Sequence, residues 1–162
     1  MTVFAAKLYQ ATDNQDYLDL AKGLYIWAQE NPSDAFMLAG GCGLMIQAGA
    51  ILFRVSERLP YLEDARNRAK YCLDAFFKPF SGADGNEFRK LSEGIDPWQQ
   101  TLLVRGLIEL YRTDGEPEYL NNLRKSLEHD WVNGQQNKLT LQTGSRNSQT
   151  SLAEIFARLG AL

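Results

Sequence analysis

The chain has 162 residues, 44% of them hydrophobic and 23% charged, a balance typical of ordinary globular domains and far from disordered or collagen-like chains. Its 17 basic and 20 acidic residues are interspersed and leave a net charge of -3, so no basic block offers itself to the phosphates of nucleic acid. A single histidine, His129, excludes a multi-histidine metal centre, and neither a metal nor an organic cofactor is expected.

Taken in chain order, the first segment, Met1-Thr2-Val3-Phe4-Ala5-Ala6-Lys7, lacks the basic start, apolar stretch and cleavage site of a secretory signal. It reads as the first turns of a helix inside a folded unit. Leu8-Tyr9 then precedes Tyr17-Leu18 across the polar turn Thr12-Asp13-Asn14. The same phrase recurs at the same spacing as Leu52-Phe53 before Tyr61-Leu62, and as Leu110-Tyr111 before Tyr119-Leu120. Ile155-Phe156 opens a further copy. Asn, Ser and Asp in the intervening runs supply N-caps, and Pro117 suits a first helical turn. Each unit is therefore a helix, a tight turn and a second helix.

The periodicity predicts seven helices, near 3–11, 15–30, 43–55, 60–77, 97–112, 117–132 and 148–160. From Gly43 to Phe53 the segment is apolar on nearly every side, as in a fully buried helix. From Tyr61 to Phe77 a stripe of Leu62, Ala65, Ala69, Cys72, Leu73 and Phe76 alternates with charge, as in a half-exposed one. Leu102-Leu103-Val104 and the stripe Leu120, Leu123, Leu127 repeat the contrast. Buried helices alternating with half-exposed ones predict an all-α fold of stacked antiparallel helix hairpins, a partial (α/α)6 toroid of about seven helices. The unequal spacing of Tyr9, Phe53, Tyr111 and Phe156 argues against short regular repeats. Lys78 to Asp96, rich in Gly and Pro, reads as a loop. No apolar run reaches the ~18 residues of a membrane span.

The phrases AAKLYQATDNQDYLDLAKGLYIWAQEN, LMIQAGAILFRVSERLPYLEDARNRAKYCLDAFF, DPWQQTLLVRGLIELYRTDGEPEYLNNLRKSLEHDW and QTSLAEIFARL, in that order, resemble consecutive hairpins of glycoside hydrolase family 76, the endo-α-1,6-mannanases and their relatives. The resemblance implies a single α/α-toroid domain over 1–162, incomplete at its N-terminal side, because (α/α)6 closure takes six hairpins. It implies an α-mannan-type glycan as ligand, and either a homo-oligomer or a missing N-terminal portion to cover the open edge. Members of that family often work outside the cytoplasm; nothing in this sequence fixes the compartment. Two departures stand out. The family's catalytic Asp-Asp dipeptide has no counterpart here, so no catalytic residue is assigned and this chain alone is expected to be inactive. The family's Tyr-Asn-Gln set before the buried helix is replaced by Gly40, Gly41 and Cys42. The matches to groove-facing positions are Asp96, Trp98 and Gln149, the candidate substrate-binding residues.

Each candidate has a plainer reading. Asp96 before Pro97 is an N-cap, Trp98 is core packing, and Gln149 caps its own helix. Asp84, Glu87, Glu93 and Asp96 share the long loop and are the only acids there that could converge as a catalytic pair. Glu63 and Asp64 read as solvated ion-pair partners, Trp27 and Trp131 as core. Cys42 reads as a small buried residue rather than a reactive thiol. Two cysteines, Cys42 and Cys72, are too few for a disulfide framework. Two other functions fit the same residues: a non-catalytic carbohydrate- or protein-binding helical module, and another six-hairpin glycosidase relative.

Overall fold

The computed structural model describes residues 1–81, 87–92 and 94–137, together with Ala157 and Gly160. Its elements are α1 (Thr2–Thr12), α2 (Gln15–Glu30), α3 (Asp34–Met37), α4 (Ala39–Ser56), α5 (Leu59–Phe76), β1 (Phe77–Ser81), β2 (Glu87–Leu91), α6 (Pro97–Asp114) and α7 (Glu118–Asn137). The chain is all-α in architecture, built of antiparallel helix hairpins. The expected helix at 148–160 lies outside the described residues, apart from Ala157 and Gly160, which are helical.

Local chemistry sets the boundaries. The Asn14 side chain accepts from the Asp16 N–H at 2.9 Å and starts α2. Helices α1, α4 and α6 end on left-handed residues, Asp13, Glu57 and Gly115, whose amide N–H groups bond carbonyls of the last turn. Pro60 and Pro97 sit in first turns, where a missing N–H costs nothing.

Two expectations are corrected here. The segment from Lys78 to Asp96 is not simply a loop: β1 and β2 form an antiparallel hairpin, with Phe77 opposite Leu91 at its base and Ser81 opposite Glu87 at its tip. The Arg89 N–H donates to Asn122 Oδ1 and the Leu91 N–H to Ser126 Oγ, so β2 satisfies its free edge against α7. The linker before the buried helix also holds the extra turn α3, and α4 begins at Ala39 rather than Gly43.

Helix α4 lies at the centre. Twelve of its eighteen residues are buried, against six of eighteen in α5, as the contrast between all-round and striped sequences predicts. One side of α4 (Cys42, Ile46, Ala50) packs with Ala65, Ala69 and Leu73 of α5, Leu103 and Leu107 of α6, and Leu120 and Leu123 of α7. Its other side (Met45, Ala48, Ile51, Leu52) packs with Ala5 and Ala6 of α1 and Leu18, Ala21 and Tyr25 of α2. Helix α4 is also long and apolar enough to cross a membrane, contrary to the expectation that no such segment exists. Its burial between α1, α5 and α6 makes it a core helix instead. Helices α1, α4 and α6 form an inner layer backed by α2, α5 and α7.

The inner layer is held by a crossing without side chains. A Cβ at Gly43 would overlap the backbone of Leu102 and Leu103, and one at Gly106 would overlap the backbone of Gly43. Two polar knots pin the outer layer. Tyr25 donates its hydroxyl to Asp64 Oδ2 at 2.5 Å, and Arg68 Nε donates to the same oxygen at 2.8 Å. Asp64 is thus an ion-pair partner as expected, but half-buried and tied to α2 as well. Burial, reinforced by the Asp64 carboxylate, pushes the Tyr25 hydroxyl well above its ordinary range. Asp114, 2% exposed in its side chain, accepts from Arg66 Nε at 3.0 Å and from the Tyr119 hydroxyl at 3.2 Å. Burial and then that carboxylate push Tyr119 up to about 12.

Trp27 is corrected too: it is 58% exposed and not core. With Met1, Phe4 and Leu20 it leaves α1 and α2 with an apolar outer edge. The side chain of Trp131 lies outside the described residues.

The crossing predicts an opposite response at two glycines. Gly43→Ala or Gly106→Ala should destabilise by about 1–3 kcal/mol, because backbone must separate. Gly23→Ala on the open face of α2, where nothing lies within 4 Å, should stabilise by about 0.5–1 kcal/mol through helix propensity. Urea denaturation of the three variants checks this; a neutral Gly106→Ala would show that the crossing is not tight.

Candidate functional site

The N-terminal ends of inner helices α4 and α6 come together because the Gly43–Gly106 crossing brings their first turns close. At Gly40, one turn earlier, a Cβ would lie 3.2 Å from Leu102 Cδ1 and 3.3 Å from the Cα of Gln99. Packing of this kind uses the inward side of α6 for α4 and leaves Trp98 facing out.

Asp96 is the N-cap of α6, accepting from the Trp98 N–H at 2.9 Å. The plainer reading of Asp96 is therefore realised, and its carboxylate is committed to the helix start. The same turn is closed by the Thr101 hydroxyl donating to the Pro97 carbonyl and by Gln100 Nε2 donating to the Ile95 carbonyl.

Trp98 does not pack into the core. It is 56% exposed, with the Arg105 guanidinium 5.8 Å from its ring centroid, a cation–π distance. A half-exposed indole with a cation against its ring offers apolar surface to a ligand ring. Gln149, the third candidate, lies outside the described residues, so the structure joins Asp96 to Trp98 but does not place Gln149 with them.

The loop acids divide similarly. Glu87 lies at the hairpin tip, opposite Ser81, while Asp96 follows the hairpin base. Five residues of strand separate tip from base by roughly 13 Å. Asp84 and Glu93 lie outside the described residues. His129 packs edge-on against Phe80 at 4.6 Å and near Phe88 at 5.8 Å, where it helps seat the hairpin on α7. Cys42 is buried, with its thiol donating to the Phe36 carbonyl at 3.1 Å. No group of three or more metal-ligating side chains occurs among the described residues.

One carboxylate escaped the sequence reading. Glu109 stands on inner helix α6, 13% exposed in its side chain, and pairs with Arg54 of α4 while accepting from Gln47 Nε2 at 3.4 Å. Its signal was the spacing Trp98, Leu102, Arg105, Glu109, which puts all four on one face of α6. That stripe runs from the exposed tryptophan down to a paired acid that locks α6 to α4.

Comparison with solved structures gives this geometry a context. The chain superimposes on a family 76 glycoside hydrolase from a bovine Bacteroides thetaiotaomicron strain with a TM-score of 0.84 and 25% identity, over 99% of its own length and 41% of that protein's. It superimposes on the family 76 mannosidase Bt3792 of Bacteroides thetaiotaomicron VPI-5482 with a TM-score of 0.86 and 25% identity, over 99% of its own length and 52% of the other. The chain thus spans about half the length of the solved structures it matches. No family model and no curated protein matches it.

If Asp96 acts as a cap, the charge is dispensable but the acceptor is not. Asp96→Ala should cost about 1 kcal/mol, whereas Asp96→Asn, an equally good cap, should cost a few tenths at most. Denaturant midpoints decide it: equal losses in both variants would assign the effect to charge instead.

Proposed function

We propose that this family 76-like partial toroid is a glycan-binding domain that contacts an α-mannan-type chain through Trp98 and does not by itself hydrolyse it. The glycosidase-like fold is plain from the likeness to two family 76 structures across nearly the whole chain. The observation that carries the binding reading is the exposed Trp98 ring at the joined ends of α4 and α6.

Hydrolysis of a glycosidic bond needs two carboxyl groups across the scissile bond, ~5–5.5 Å apart for retention or ~6.5–9.5 Å for inversion. The sequence has no Asp-Asp dipeptide, and the site's own carboxylate, Asp96, is spent on a cap. Gly40, Gly41 and Cys42 offer no polar side chain of the kind that orients sugar hydroxyls, apart from a thiol turned into the core. Stacking on Trp98 supplies apolar contact without orientation, so binding should be weak and turnover negligible. General acid catalysis alone contributes ~10²–10⁴-fold, which a binding surface does not replace.

One preparation tests both halves of this reading. Calorimetry with linear α-1,6-mannan oligosaccharides should show weak binding that falls at least about tenfold in Trp98→Ala, ~1.4 kcal/mol. A reducing-end assay on the same chain should give equal, low background for wild type, Asp96→Asn and Glu93→Gln. Robust turnover lost in either acid variant would overturn the non-catalytic reading, and tight binding that survives Trp98→Ala would put the site elsewhere.

The open apolar edge belongs to the same proposal. A toroid hairpin is flanked on both sides, yet Phe4 and Trp27 remain 61% and 58% exposed. Apolar patches of this kind mark interfaces, and the occupant this reading assigns is a second copy of the chain. Light scattering across a concentration series should show self-association of the 162-residue chain; a clean monomer at high concentration would reject the homo-oligomer.

A further inference from the structure

The packing of α4 on α5 places two buried sulfurs opposite each other. The helices are antiparallel neighbours that approach closely at Gly49, where a Cβ would lie 3.1 Å from Ala65 Cβ and 2.8 Å from the Tyr61 carbonyl oxygen. Seven residues make about two helical turns and return to nearly the same face. Seven residues back from Gly49 along α4 is Cys42; seven residues on from Ala65 along α5 is Cys72. Between Gly49–Ala65 and the two cysteines the seam is lined by Ile46 of α4 and the small Ala69 of α5, both buried in the same cluster. Both sulfurs are buried and reduced, and they lie in the same core cluster.

We infer that Cys42 and Cys72 are a latent disulfide pair, a redox modification site that joins the start of α4 to the end of α5 when a disulfide oxidant such as oxidised glutathione is present. The two sulfurs play different parts. Interaction with the Cys42 thiol, and then burial, push Cys72 up. Cys42 is therefore the thiol that reacts first, once it has given up its proton. It also lies against α3, a single turn whose Phe36 carbonyl accepts from its thiol and whose Met37 is 48% exposed. Displacing that turn opens Cys42 to a small oxidant while Cys72 stays covered.

The exchange balances without any further reagent. The Cys42 thiolate attacks one sulfur of oxidised glutathione, breaks its S–S bond and releases one glutathione thiolate. Cys72 gives up its proton, attacks Cys42 Sγ and releases the second. Two protein thiols are oxidised and one glutathione disulfide is reduced to two thiols. The bridge would fix the first turns of α4, which abut Gln99 and Leu102 beside Trp98. It would thus stiffen the mouth of the candidate site, although the inference stands independently of any ligand there.

The test uses the folded 162-residue chain incubated with oxidised glutathione, then assayed for thiols in denaturant. Both thiols should disappear, with an intact mass about 2 Da lower and Tm raised by roughly 5–10 °C. Cys72→Ser should halt at a stable glutathione adduct on Cys42, about 305 Da heavier, with no such rise in Tm. The proposal is overturned if the native chain keeps both thiols until it is unfolded, or if wild type accumulates the glutathione adduct without resolving it. A bridged product whose Tm is unchanged or lower would equally reject it, because the packed helices would then not have matched disulfide geometry.

Discussion

The rest of the molecule depends on how closely α4 and α6 approach. Gly43 and Gly106 face each other with no room for a Cβ on either side, so two inner helices meet backbone to backbone. That contact forces α4 into the interior, where its remaining sides must be apolar against α1, α2 and α5. An ordinary surface helix buries one stripe; α4 buries nearly all of itself, and its sequence is apolar all round as a result. The same crossing sets the candidate site. By drawing Gly40 onto Gln99 and Leu102, it turns α6 so that Trp98 leaves the interface and faces outward.

Inner-layer packing is nonspecific in one respect: apolar helices can slide and rotate at modest cost. The outer layer removes that freedom with polar knots of fixed geometry. Asp64 ties α2 to α5 through Tyr25 and Arg68, and Asp114 ties α5 to α6 and α7 through Arg66 and Tyr119. These pairs are partly open to solvent and individually modest, but their fixed geometry penalises misaligned hairpins where apolar contacts alone would tolerate them. Phe77, fully buried at the end of α5, continues this layer into the β-hairpin, which is then clasped by Asn122 and Ser126 of α7.

Much of this was legible from the residues. Turn-forming phrases and 3.6-residue periodicity located the helices through α7, because caps such as Asn14 and Asp96 act locally. The β-hairpin was not legible. Its strands are five residues each, one carries Pro79, and the Gly-rich segment between them carries the signals of a loop. Its pairing is stabilised by α7, more than thirty residues away in sequence. Trp27 was misplaced for a related reason. The buried stripe of α2 is Leu18, Ala21, Tyr25 and Ala28, and Trp27 stands about 100° from Ala28, outside it. Periodicity identifies that a stripe exists; which hydrophobic residue lies just off it depends on the width of the neighbouring helix. For the site, the residues alone left Trp98 open between core packing and a groove-facing position, because its exposure follows from how the glycine crossing sets α6 against α4.

The placement of acids bears on what such a groove can do. Asp64, Asp114, Glu109 and Asp96 are each already engaged by a cation, a hydroxyl or a backbone N–H. A carboxyl acting as a general acid must reach the leaving oxygen of its substrate, which a side chain held in a cap or an ion pair cannot do without giving up that partner. The two demands compete for the same few residues on the inner helices, and here the fold has taken Glu109 and Asp96 for packing and capping. Among the described residues, the exposed group beside this cap is the Trp98 ring with Arg105 against it, which suits the proposed contact with a sugar face. This division of labour supports reading the domain as a surface that holds a glycan, with bond cleavage resting on carboxyl groups other than these four.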